Sequence, residues 1–101
     1  MTYVQEALDA VSEELPGQDV ELVRLYTLLA LVRGSQVSVL DVHDAWAIWC
    51  QQKNPHHQSI VPFGDLSPEI QKLDVEYVEG IRRAVSRLHT HWQDLPESPS
   101  E

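Results

Sequence analysis

Apolar residues recur along this chain at helical spacing, and the character of the stripe changes from one segment to the next. Val4, Ala7, Leu8, Val11 and Leu15 fall on one face, Thr2 and Gln5 have the spacing of a capping box, and Pro16-Gly17 closes the segment. Glu6, Asp9, Glu13 and Glu14 lie off that stripe, on a solvated face. Residues 19–33 differ in kind: Val20, Leu22, Val23, Leu25, Tyr26 and Leu28 to Val32 surround nearly the whole circumference of a helix. A helix apolar all round is central to a core or shared between subunits. Gly34 is its stop. Ser38 with Asp41 makes a second capping box and opens a third helix that runs to Lys53, before Asn54-Pro55 ends it. Val42, Ala45, Trp46 and Trp49 form its inward face, His43 and Cys50 sit seven apart on one edge of that face, and Asp44 and Gln51 point away.

Between residues 54 and 65 the helical period disappears. Ser59-Ile60-Val61-Pro62-Phe63 is apolar, short and interrupted by proline, which predicts an extended stretch or edge strand laid across the helices. Ser67-Pro68-Glu69 is a helix start, with an N-cap serine, proline at the first helical position and an acid in the first turn. A short helix ending near Asp74 is expected, followed by a long one from Asp74 with Tyr77, Val78, Ile81, Ala84, Val85, Leu88 and Trp92 on one face. Glu79 is placed to pair with Arg82 and Arg83, and Pro96 requires a stop by Leu95. Residues 96–101 read as a disordered acidic tail. The pattern thus predicts an all-α fold. Residues 1–95 form one compact helical domain of about five helices around residues 19–33, with an extended proline-containing segment crossing them.

Size and charge narrow the function. The chain has 101 residues, enough for one domain, and 16 Asp and Glu against 7 Lys and Arg give a net charge of -9. Such a surplus opposes binding to phosphate backbones, so no nucleic acid is expected as a partner. A helix-turn-helix reader fails locally too: the would-be recognition helix begins Val39-Leu40-Asp41-Val42-His43-Asp44, with no Arg or Lys before Lys53. Cys50 is the single cysteine, no segment reads as a signal peptide, and Arg24 and Arg33 bracket the longest apolar run. A cytoplasmic location and no membrane partner are therefore expected.

Candidate chemistry is sparse. His43, Cys50, His56-His57 and His89-x-His91 supply donors, but residues two apart on a helix project about 200° apart, and no Cys-x-x-Cys or His-Glu-x-x-His pattern is present. No metal site and no cofactor are expected. Cys50 reads as a small buried hydrophobe, and four scattered glycines build neither a nucleophile elbow nor a phosphate-cradling loop. The expectation is a protein that is not an enzyme.

Residues 38–75 carry the most specific pattern. Val42-His43-Asp44-Ala45-Trp46-Ala47, then Ile60-Val61-Pro62-Phe63-Gly64-Asp65-Leu66-Ser67-Pro68-Glu69, then Asp74, resembles the repeat domain of ryanodine receptors, the RyR domain. His43 and Trp46 match that family's His-x-x-Trp pair, Val61-Pro62-Phe63 its proline-aromatic segment with Phe for Tyr, and Leu66 and Asp74 fall at the family's offsets. The chain departs from it in residues 48–57, where Trp49 is the sole aromatic, and at Val75, where an Arg is usual. The pattern also looks like that of short, uncharacterised actinobacterial and actinophage proteins. The resemblance implies a helical binding module, a sensor or scaffold, some of whose relatives are associated with adenine-nucleotide or nucleotide-derived signal ligands, including prokaryotic members linked to phage defence.

Two function classes follow. The first is a non-enzymatic module that senses or sequesters a nucleotide-derived ligand, with His43, Trp46, Trp49, Lys53, His57, Pro62 and Phe63 as candidate ligand-binding residues. Trp46, Trp49, Phe63 and His43 offer planes for a purine, while Lys53, His57, Lys72 and the helix starts at Ser38 and Ser67 offer charge for phosphates. A structural reading competes: Trp46 and Phe63 as core, and His43 hydrogen-bonded to the crossing Val61-Pro62 backbone. The second class is a small acidic protein-interaction factor that docks on a basic host or cellular protein and modulates it. In either case the all-round apolar helix predicts a homodimer or higher homo-oligomer.

Overall fold

The computed structural model describes residues 2–93, and most of them are helical. Helix α1 spans Tyr3–Glu14, α2 Val20–Arg33, α3 Val39–Lys53 and α4 Pro68–Gln93, with single 3-10 turns at Gly34–Gln36 and Phe63–Asp65. No strand occurs among the described residues. The expected stop at Pro96 and the expected tail 96–101 lie outside them.

Local chemistry sets the ends. Thr2 Oγ1 accepts the Gln5 N–H at 3.1 Å, but Gln5 turns its amide to Asp9 instead of back to Thr2, so only half of the first capping box forms. Ser38 and Asp41 form both halves of the second. Asp19 caps α2 by accepting the Glu21 N–H, and Gly34, with φ +56°, ends it in a conformation that side chains rarely adopt.

Two expectations are corrected. The predicted short helix and the long one after it are a single helix, α4, and Asp74 lies inside it. No glycine or proline interrupts residues 69–79, and Ile70, Leu73 and Tyr77 continue the stripe of Val78, Ile81 and Val85 without a change of phase, so nothing stops the helix. The segment at 59–63 is not an edge strand. Residues 54–67 instead turn repeatedly, with i to i+3 bonds from His57 to Asn54, Ile60 to His57, Asp65 to Pro62 and Leu66 to Phe63. A strand needs a ladder partner, and every neighbouring element is a helix that has already used its backbone groups.

Helix α2 is the hub on one side. Leu22, Val23, Tyr26, Thr27 and Ala30 are buried against the other helices. Its other side is open, with Val20 74% and Leu28 53% exposed. Helix α4 packs on all three of the others. It runs antiparallel to α1, where Arg83 pairs with Glu14 at 2.8 Å, Arg87 reaches Glu13 and the Ala10 carbonyl at 3.0 Å each, and Trp92 donates to Glu6 at 3.1 Å. The expected pairing of Glu79 with Arg82 and Arg83 is thus replaced: Arg83 serves α1, and Arg82 donates to the Val37 carbonyl at 2.8 Å. Exposed pairs of this kind contribute about 0–1 kcal/mol each, so they fix register while apolar burial supplies stability.

Close approach of α1 and α4 depends on Gly80, where an added Cβ would lie 2.6 Å from Leu15 Cδ2 and 3.2 Å from its Cγ. Gly80→Val is expected to destabilise by about 1–3 kcal/mol in urea titrations, the range for overpacking a core. Gly80→Ala gains up to about 1 kcal/mol of helix propensity against that clash. It should therefore be more favourable in a Leu15→Val background, where Cδ2 is gone. Strict additivity of Gly80→Ala and Leu15→Val would show that the contact does not constrain the crossing.

Candidate functional site

The α3 sequence carries two adjacent stripes, and they meet different neighbours. Val42 and Ala45 are buried in the main core, and Trp49, on the same stripe, donates its indole N–H to Asp19 Oδ1 at 3.2 Å. Lys53 Nζ lies over the Trp49 ring at 5.6 Å. The second stripe, His43, Trp46 and Cys50, faces the 54–67 loop and the start of α4. His43, 2% exposed, donates Nε2–H to the Val61 carbonyl at 2.6 Å, as one reading of the sequence expected. Its ring stacks on Trp46 at 5.7 Å between centroids, and Phe63 packs edge-on to it at 6.2 Å. His57 meets the Trp46 indole edge-to-face at 5.2 Å and accepts the Ser59 N–H on Nδ1 at 3.0 Å.

Together these side chains frame a cleft of about 230 Å³ between α3, the loop and α4, lined by His43, Trp46, His57 and Ser59 on one side and by Ile70, Leu73, Asp74 and Tyr77 on the other. Of the seven candidate ligand-binding residues, His43, Trp46 and His57 line it. Pro62 and Phe63 do not line it, although Phe63 packs edge-on against His43. Trp49 and Lys53 belong to the separate contact with Asp19. The expected convergence of all seven on one site is corrected accordingly. Residues 46 and 49 differ by only about 60° around a helix, enough to send two tryptophans of one face to different neighbours.

Asp74 is the residue the sequence reading missed. It is 7% exposed, its Oδ2 lies 3.6 Å from His43 Nδ1, and that oxygen has no hydrogen-bond partner among the described residues. Burial pushes its carboxyl above the usual carboxylate range, and the nearby His43 offsets part of that rise. Beneath it Tyr26, fully buried and 5.8 Å from the Tyr77 ring, also leaves its hydroxyl unpartnered. Burial, with Tyr77 and Asp74 adding, pushes that phenol well above its ordinary value. The signal was present: Asp74 precedes Val78, Ile81, Val85 and Leu88 at helical spacing, an acid on an inward stripe.

Among the described residues no group of three or more His, Cys, Asp or Glu is arranged to hold a metal ion, and no helix is long and apolar enough to cross a membrane. The site is a small aromatic cleft with a buried carboxylate at its base, set in a four-helix domain. The chain belongs to the family described as Domain of unknown function (DUF7701), whose model matches residues 2–86. No curated protein and no solved structure matches it significantly.

The Asp74 environment has a consequence for stability. A carboxyl whose folded pKa is raised contributes stability that is present below its unfolded value, 3.8, and is lost as pH rises through the folded value. The stability of the natural protein relative to Asp74→Asn should therefore fall as pH climbs from about 3.8 towards neutrality, and Asp74→Asn should be at least as stable at pH 7. Urea titrations of both proteins between pH 4 and 7 test this; a difference that stays flat with pH would contradict it.

Proposed function

We propose that this domain is a non-enzymatic small-molecule binding module that senses or sequesters a nucleotide-derived ligand in the cytoplasm. One observation carries the reading: a preformed cleft with aromatic and apolar walls holds, at its base, a desolvated carboxylate with no partner. Buried polar groups in a core are satisfied as a rule, and an acid with an orphaned oxygen that lines a cleft is what a site for a polar ligand contains. At about 230 Å³ the cleft is smaller than a drug-sized pocket, roughly 300–1,000 Å³, and suits one flat ring system with its substituents outside. Trp46, His57 and Tyr77 supply the planes against which such a ring packs. The RyR-like pattern supports the same reading, because His43, Trp46 and Asp74, three of the residues that carry it, meet here.

The alternative, an acidic factor docking on a basic partner through the charged faces of the first and last helices, has less support. Those faces are turned on each other, with Glu6, Glu13 and Glu14 engaged by His91, Arg87 and Arg83.

A thermal-shift panel of nucleotides, cyclic nucleotides and nucleosides tests the ligand reading. Ligand at about a thousand times its Kd stabilises by about 4 kcal/mol, and each kcal/mol moves the Tm of a domain this size by about 4–8 °C. At least one compound is expected to raise the Tm, and a panel without any shift removes the reading.

A second copy of the chain is the partner we propose for the outer face of α2. Leu28 and Val32 are exposed there, with the partly buried Leu25 and Leu31 beside them, and the same face of the helix carries one acid, Glu21, and one base, Arg24. Two copies can approach along it without the repulsion that a net charge of -9 imposes elsewhere. Light scattering should return twice 11.5 kDa, with Leu28→Glu reverting it to 11.5 kDa; a monomer before any substitution rules the pairing out.

A further inference from the structure

The cleft also states which edge of a ligand it would accept. His43 commits its Nε2 hydrogen to the Val61 carbonyl, so the atom it turns towards Asp74 is Nδ1. Across 3.6 Å stands Asp74 Oδ2, and that separation exceeds hydrogen-bond range, so neither group satisfies the other. With His43 neutral and Asp74 ionised, both facing atoms carry lone pairs. What completes them is a donor. Neither Lys nor Arg lines the cleft, so an anion entering it would meet the Asp74 carboxylate with no lining side chain of fixed positive charge. The aromatic walls favour a flat group, and an electron-poor or cationic one over an anionic one.

We infer that the cleft binds its ligand through an N–H donor edge, the amino or amidine-like edge of a nitrogenous base, neutral or cationic, which approaches the Asp74 carboxylate and the His43 imidazole that line it while any phosphate stays outside. The inference rests on the ligand-binding reading above and narrows it to a class of contact. Asp74 is the group that discriminates, because it is the one carboxylate lining the cleft and, ionised, it only accepts hydrogen bonds. Trp46 and Tyr77 hold the ring without distinguishing one base from another.

Isothermal titration of the full chain against matched probes decides the matter. Adenosine, guanosine and cytidine present N–H donors on the base edge; purine riboside presents none. Benzamidine and benzoate are a cation and an anion of nearly one shape. At least one amino-bearing nucleoside is expected to bind about tenfold or more tightly than purine riboside, and benzamidine more tightly than benzoate. Both preferences should collapse in Asp74→Asn, checked for retained helicity by circular dichroism. If that variant does not fold, the probe pairs on the natural protein still decide. Benzoate or purine riboside binding as well as its partner, or preferences that survive Asp74→Asn, would overturn the donor-edge inference while leaving the ligand-binding reading in place. Absence of binding by every probe, and by the nucleotide panel, would remove both.

Discussion

One hydrogen bond, 2.6 Å from His43 Nε2 to the Val61 carbonyl, ties the least regular part of the chain to the most regular. Residues 54–67 have no ladder and no helix longer than one 3-10 turn, so they are held by what reaches them from outside. His43 reaches from α3, and Gln71 reaches from α4 with its amide on the Phe63 and Leu66 carbonyls at 3.2 Å each. A net 0.5–1.5 kcal/mol is the usual order for such a bond, roughly doubled if the donor is charged, and a buried carbonyl left unpaired costs more. The bond also orients the ring. With Nε2 pinned, Nδ1 has one direction left, towards Asp74, and Trp46 has a plane to stack on. Loop path and cleft geometry therefore depend on the same imidazole.

That dependence explains why the cleft lies where it does. The α1 and α4 helices are drawn together along most of α1 by a small residue at Gly80 and a run of cross-helix pairs, and α2 fills the centre. The N-terminal turns of α4 extend past this core. There the helix packs against α3, the loop and Tyr26 of α2, and small turn-rich segments do not fill space as a fourth helix would. The gap left between Ile70, Leu73 and Tyr77 on one side and Trp46 and His57 on the other is the cleft.

Features that depend on a few adjacent residues were legible in the sequence. Ser38 with Asp41, Gly34, Asn54-Pro55 and Ser67-Pro68 mark helix ends through short-range bonds and backbone limits, and the structure has its ends there. The hub role of residues 20–33 followed from composition around the wheel, although only one side of that helix is covered. What escaped was tertiary. Reading a helix boundary at Asp74 made the aspartate an ordinary N-cap, a position where a carboxylate is solvated and useful. Only when α4 is continuous does its wheel turn Asp74 inward, above Tyr26 and beside His43. The same error of one boundary hid the site residue and added a helix. His43, Trp46 and Asp74 were all legible as parts of one pattern; the contact of His43 with Asp74 was not, because a pairing across 31 positions is set by how the helices pack.

Asp74 then carries two opposed demands. In the second turn of α4 it gains little from the helix dipole, which favours acids in the first turn. Burial raises its pKa, so at neutral pH holding it ionised works against folding, and holding it protonated leaves an O–H with no acceptor nearer than His43 Nδ1 at 3.6 Å. An asparagine or a leucine there would answer the needs of packing at least as well. Tyr26, directly beneath, shows the same pattern with its unpartnered hydroxyl. Asp74 lines the cleft and Tyr26 is buried against Tyr77 beside it, and among the described residues these two carry the only buried side-chain oxygens without a partner. Such unmet hydrogen-bonding capacity lowers stability in the empty protein and is recovered when a donor arrives, so the same carboxylate that weakens the fold is the group best able to make binding selective.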